Sequence, residues 1–169
     1  MHAVRKDSST TTKIRVVFDA SAKSTSGSSL NDQFLVGPTV HASLIDVLIR
    51  FRRHKVAMAA DVSKMYRAVL LSEDQRDLHR FLWRGNCTQP MRDYRMTRLT
   101  FGVCASSFAA NMALRQNALD NQQKCPQAAK VTLESFYVDE GLVGADSVED
   151  AIHLIIHLII TFISSSLFT

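Results

Sequence analysis

FYVDEGLVGADS, residues 136–147, carries more structural information than any other stretch of this chain. Residues 131–138 are rich in β formers, Asp139-Glu140-Gly141 interrupts them, and Leu142 to Ala145 resumes the apolar run. Two short apolar runs around an acidic D-E-G predict a tight hairpin with carboxylates at its tip. Upstream, KVAMAAD (residues 55–61) is another short apolar run, and it ends in a carboxylate. At that length it predicts a buried strand. Placed in one antiparallel sheet, the two segments bring Asp61 and the hairpin tip side by side on adjacent central strands.

The flanking segments supply the layers around such a sheet. KIRVVFD (13–19) is a β-branched run that predicts a strand. STSGSS (24–29) and Gly37-Pro38 mark loops. Over residues 43–53, Leu44, Val47, Leu48 and Phe51 recur at helical spacing, with Arg50, Arg52 and Arg53 at the end where the helix dipole favours cations. Ser72-Glu73-Asp74-Gln75 has capping-box spacing and predicts a helical turn. Residues 80–83 and 93–99 predict a hairpin with a longish loop through Gly85-Asn86 and Pro90, with Phe81 and Trp83 on one face. Residues 105–119 predict a helix with an apolar stripe of Phe108, Met112 and Leu119, closed off by Pro126. Strands mixed with helices in this order define an α+β layer fold, helices on one face of an antiparallel sheet.

Composition narrows the classes. A chain of 169 residues, 46% hydrophobic and 21% charged, is globular in character and of single-domain size. The net charge of +4 conceals an asymmetry: residues 1–100 hold 17 basic and 9 acidic residues, residues 101–169 hold 3 and 7. A basic portion followed by an acidic one suits a polyanionic partner and carboxylate or cation chemistry; an unevenly charged solvated surface is the plain alternative. Cys87, Cys104 and Cys125 are odd in number and widely spaced, which fits neither a disulfide framework nor a zinc site and favours a reducing, cytoplasmic setting. The polar residues 1–12 lack the apolar core of a secretory signal and are expected to be flexible. Residues 152–169 are apolar, at the lower length limit of a membrane span, and have no flanking Lys or Arg; a helix is favoured over an anchor. His153 and His157 have zincin spacing, but HLIIH lacks the general-base Glu.

Two or three carboxylates meeting at one sheet end repel unless a divalent cation neutralises them, and hard carboxylate oxygens suit Mg²⁺. A pair of such ions about 3.5–4 Å apart is the arrangement for in-line phosphoryl transfer. The alternative is structural: Asp61 caps the following helix and Asp139 is an ordinary turn residue.

Six segments in chain order carry a family resemblance: KIRVVFDASAKSTSGSSLND (13–32), VGPTV (36–40), RFRRHKVAMAADVSKMYR (50–67), RFLWR (80–84), RLTFGVCASSFAAN (98–111) and FYVDEGLVGADS (136–147). Together they resemble the reverse transcriptase of Pao/BEL-type LTR retrotransposons, over about residues 2–151. The resemblance implies the fingers-palm part of a polymerase right hand over residues 13–151, with an antiparallel palm sheet packed on helices. It implies that the thumb, RNase H and integrase regions are absent and that residues 152–169 are a degenerate or unrelated continuation. The implied reaction is RNA-directed DNA synthesis, in which a primer 3′-OH attacks a deoxynucleoside triphosphate on an RNA or DNA template. The implied cofactor is a pair of Mg²⁺ ions, with Mn²⁺ as the alternative. Asp61, Asp139 and Glu140 then stand at the metal-binding catalytic positions.

The remaining site residues also follow from the resemblance. Tyr66 stands at the steric-gate position that crowds a ribose 2′-OH. Val62 begins the backbone segment facing the triphosphate. Lys13 and Arg15 resemble the basic fingers pair that clamps the triphosphate, a role in which Arg offers bidentate contacts. Phe101 and Gly102 match the point where template and incoming base approach the backbone. Glu140 departs from the family's Y-x-D-D pattern: its extra methylene displaces the carboxylate by roughly 1 Å, a misplacement that can cost about 100-fold in rate. The rival expectation is therefore a catalytically inactive nucleic-acid-binding remnant. A phosphotransferase built on Phe18-Asp19-Ala20-Ser21 is disfavoured, because it lacks a second acid. No membrane partner is expected. The implied setting is cytoplasmic, in virus-like particles of the parent element.

Overall fold

A computed structural model of the chain describes residues 2–5, 7–8 and 14–163. The backbone divides into two compact units, one of residues Met1–Gly37 with Leu70–Ser106, the other of Pro38–Val69 with Ser107–Thr169. Each is assembled from two separated pieces of chain. The elements are small antiparallel sheets mixed with helices, an α+β arrangement.

In the first unit, β1 (His2–Arg5) pairs antiparallel with β2 (Ile14–Val17), and β4 (Arg80–Trp83) with β5 (Arg92–Arg95). A 3-10 segment, Glu73–His79, leads into β4. It starts where the capping-box spacing predicts, although the Ser72 side chain makes no capping bond and Gln75 N–H instead donates to the Ser72 carbonyl. The hairpin loop is ordered by Asn86, whose Oδ1 accepts from Thr88 N–H, Thr88 Oγ1 and Gln89 N–H, an Asx turn of the kind short polar side chains make. Leu71, Leu99 and Val103 are buried here with Ser29, His79 and Thr100.

In the second unit, β3 (Val56–Asp61), β7 (Glu140–Ala145) and β6 (Phe136–Tyr137) form one antiparallel sheet in the order β3-β7-β6. β7 is central and β3 lies at the edge, so the two predicted strands are neighbours but not both central. β3 is also mostly exposed rather than buried, because its edge position leaves its small alanines uncovered. Against the sheet pack α1 (Leu44–Phe51), α4 (Pro126–Ser135) and α5 (Val148–Ile163).

Three further expectations are corrected. Residues 131–135, read as strand, belong to α4, and only Phe136 and Tyr137 are extended. Pro126 opens this helix instead of closing the previous one, since a first-turn residue has no use for its N–H. In α3 (Ser106–Asp120) the buried face is Ala110, Asn111, Ala113, Leu114, Asn117 and Ala118, while Met112 and Leu119 face outward. This buried face is made mainly of small and polar side chains, and Asn111 Nδ2 donates to the Ser107 carbonyl.

Helix α5 buries Ala151, Leu154, Leu158 and Thr161, spaced for one helical face, and Thr161 Oγ1 donates to the His157 carbonyl. Its start is a reciprocal cap: Asp150 N–H donates to Ser147 Oγ, and Ser147 Oγ donates to Asp150 Oδ2. Among the described residues no helix is long and apolar enough to cross a membrane.

Candidate active site: a carboxylate cluster at the sheet end

The antiparallel register sets Asp61 directly opposite Glu140 at one end of the β3–β7 pair. Residues opposed in this way put their side chains on the same face of the sheet, about 5 Å apart at Cβ. The pairing continues one step further, with Val62 N–H donating to the Asp139 carbonyl at 2.9 Å. Three acidic residues from segments nearly eighty positions apart thus meet at one sheet end. Asp61 and Glu140 are exposed and Asp139 is half-buried. Two like charges directly across a sheet are unfavourable unless a counter-charge intervenes.

The turn that presents them is strained. Tyr137 pairs with Glu140, leaving Val138 and Asp139 as the two central residues, and Val138 has φ of +58°. A positive φ at the first central position is the geometry of hairpin turns that match strand twist, and it normally calls for glycine. In a β-branched residue it is a true outlier. The surroundings hold it. Tyr137 packs edge-on against the His41 ring with centroids 4.7 Å apart. Phe136 lies over Gly141, where an added Cβ would meet its ring at 2.6 Å. Arg50 Nη1 donates to the Glu134 carbonyl at 2.6 Å, tying α1 to the end of α4 just before β6.

Downstream of Asp61 the chain turns through Lys64, at φ of +56°, into the short α2 (Met65–Ala68). Met65 is buried and anchors the turn, and Tyr66 is half-buried beside it. The Val62 amide, expected to face a triphosphate, is engaged by Asp139. Beside Asp61 the second unit also contains an apolar cleft of about 450 Å³, lined by Val62, Ala68, Phe136, Leu158 and Phe162. Sequence reading gave no sign of it, because its walls come from four separate segments.

The other predicted site residues belong to the first unit. Lys13 and the side chain of Arg15 lie outside the described residues; the Arg15 backbone is in β2, opposite Val4. Phe101 is exposed. Gly102 has φ of +95°, and a Cβ there would stand 2.1 Å from the Phe18 carbonyl oxygen. Its lack of a side chain therefore has a structural reason. Asn31 completes this corner: its Nδ2 donates to the Gly102 carbonyl and to Ser21 Oγ, and its Oδ1 accepts from Cys104 N–H. Asn31 sits inside a quoted motif, but nothing local distinguishes it from a loop asparagine.

As a cation site the cluster is open. Among the described residues no three His, Cys, Asp or Glu side chains gather closely enough to enclose a metal. The donors that do meet are hard, exposed carboxylates, which suits Mg²⁺: it is commonly held by one or two protein carboxylates and completes its shell with water and phosphate. No protein-family model matches the chain, and no curated protein matches it.

Proposed function

We propose that this chain is the fingers-palm part of a reverse transcriptase resembling those of Pao/BEL-type retrotransposons, with Asp61, Asp139 and Glu140 as its metal-holding carboxylates. The observation that carries this reading is the cross-strand apposition of Asp61 and Glu140, with Asp139 joined to Val62 one step further on. An unneutralised acid pair facing water is a poor arrangement for stability and a good one for recruiting a divalent cation. Bound Mg²⁺ or Mn²⁺ would supply activation of a primer hydroxyl and stabilisation of the charge that develops on a transferred nucleotidyl group.

The chain's own residues have separate tasks in this reading. Asp61 and Asp139 would hold the cations, both carboxylates being presented at one sheet end. Glu140 reaches the same face on a longer side chain. Tyr66, on the turn that follows Asp61, crowds the sugar of an incoming nucleotide and disfavours a 2′-OH. Lys13 and Arg15 neutralise the triphosphate, and Phe101 and Gly102 border the template. The basic residues 1–100 hold template and primer through phosphates, so affinity falls with salt.

A second reading, an inactive nucleic-acid-binding remnant, is favoured by one specific feature: the glutamate at 140, whose carboxylate is displaced by about the length of a methylene. Primer extension on RNA with dNTPs and Mg²⁺ separates the two. We expect incorporation by the parent chain, its loss in Asp61→Asn, and an increase in Glu140→Asp. A thermal melt gives an independent readout. Divalent cations should stabilise the parent, and Asp61→Asn should raise the melting temperature without cations and abolish the cation effect. No incorporation by the parent or by Glu140→Asp, together with melts indifferent to cations, would overturn the assignment.

A further inference from the structure

The β4–β5 hairpin sorts its side chains in a way that its role as a connector does not require. Phe81 is paired with Tyr94 and Trp83 with Arg92, so these four side chains share one face. The other face holds Arg80, Leu82, Asp93 and Arg95. The hairpin's acid is on that second face, where Arg80 Nη1 binds Asp93 at 2.6 Å and Asp77 binds both Arg80 and Arg95. The first face is left with aromatic rings and an arginine.

Two of those rings continue into a row with Phe18. Phe18 meets Phe81 edge-on with centroids 5.4 Å apart, and Phe81 stacks on Tyr94 at 5.6 Å with planes 21° apart. Tyr94, at the end of that row, is 41% exposed, and Trp83, on the same face of the hairpin, is 49% exposed. At the end of the hairpin a hollow of about 320 Å³ is lined by Leu82, Trp83, Arg84, Asn86, Cys87 and Met91, and so opens toward both faces. Among the described residues neither Arg84 nor Arg92 has an ion-pair partner.

We infer that this face of the hairpin, together with the hollow at its end, is a stacking surface for single-stranded nucleic acid, with bases on Trp83 and Tyr94 and backbone phosphates on Arg92 and, at the hollow, Arg84. Half-exposed aromatic rings interleaved with unpaired arginines match such a strand: every base offers a π-face to stack, and every linkage a negative charge. A duplex hides its bases and satisfies only the second half of this pattern. The inference stands on the hairpin alone and makes no use of the carboxylates at the β3–β7 end. Single-strand binding here, with no incorporation by the parent or by Glu140→Asp and melts indifferent to cations, would keep this proposal and sink the preceding one.

Trp83 is the single tryptophan of the chain, so intrinsic emission reports on this face directly. Titration with oligothymidylate of about ten nucleotides should quench that emission saturably. With a labelled oligonucleotide, Trp83→Leu and Tyr94→Leu should each weaken binding about tenfold or more, while Trp83→Phe retains most of it. Arg92→Gln should reduce the slope of log affinity against log salt by about one. The conservative Trp83→Phe and a thermal melt of each variant separate lost stacking from lost folding. Absence of quenching, parent-like binding by a folded Trp83→Leu, or equal competition by a duplex of the same length would overturn the proposal.

Discussion

At the residue scale, two backbone positions and one buried imidazole yield measurable consequences. Val138 occupies a turn position that suits glycine, and holding a β-branched residue there costs roughly 1–3 kcal/mol. Glycine forfeits about 0.5–1 kcal/mol of that through unfolded-state entropy. Val138→Gly is therefore expected to raise the unfolding free energy by about 1 kcal/mol in a denaturant melt; a decrease would mean that the isopropyl group packs more favourably than its backbone is strained. Gly102 is the opposite case: its Cβ would overlap the backbone oxygen of Phe18, which cannot swing aside. Gly102→Ala should cost about 3 kcal/mol or more, read from the same melt. His79 is 7% exposed, and its Nδ1 has no partner among the described residues. Burial holds its pKa below the ordinary 6.5, so the folded chain keeps it neutral where the unfolded chain binds a proton. Stability is then full above about pH 6.5 and declines as pH falls below it. His79→Phe should flatten that decline.

At the element scale, periodicity located α1 and α3, missed α2 and α4, and assigned helix faces poorly. The residues of α5 are nearly all apolar after Ala151, so both sides of the helix look buried in sequence. Packing against α4, β7 and β3 selects the side with Leu154 and leaves Ile152, Ile156 and Ile159 outside. Leu154 is 1% exposed, so Leu154→Ala should destabilise by about 2–5 kcal/mol. Ile156→Ala, on the outer face, should stay within about 0.5 kcal/mol. Similar losses for both would show that the outer face is also covered. The error in α3 has the same origin. The large apolar residues Met112 and Leu119 are exposed, whereas the buried face is mainly alanine and asparagine with Leu114. The strand reading of residues 131–135 failed because β propensity is weak beside the tertiary contacts that hold α4.

At the scale of the whole molecule, acid should act on one unit first. Asp32 is held below the ordinary carboxylate range by hydrogen bonds from the Ser29 backbone, the Lys23 ammonium and the Ser29 hydroxyl. Asp77 is held below it by Arg80, and further by Arg95. Both lie with His79 in the first unit. Carboxylates with depressed pKa values give stability that is present above their unfolded value of 3.8 and lost as pH falls through the folded value. With His79 acting from about pH 6.5 downward, the first unit should weaken before the second during an acid titration. Trp83 emission follows the first unit, and hydrogen exchange across α5 follows the second. Loss of α5 protection before the change in Trp83 emission would contradict this order.

The sequence by itself determined the mixed α+β class and the hairpin at residues 136–145, because both follow from short-range pattern and turn chemistry, and it made Asp61 a neighbour of the acidic turn only on the condition that the two strands share a sheet. It also carried a family resemblance, which proposes what the acids do. Tertiary structure decided that β3 is an edge strand, that Glu140 and not Asp139 stands opposite Asp61, and that Val138 bears the strain of the turn. It decided too that the Val62 amide is engaged and that Gly102 is fixed by the Phe18 carbonyl. Register, edge position and close backbone approach depend on partners far away in the chain, and no local window contains them.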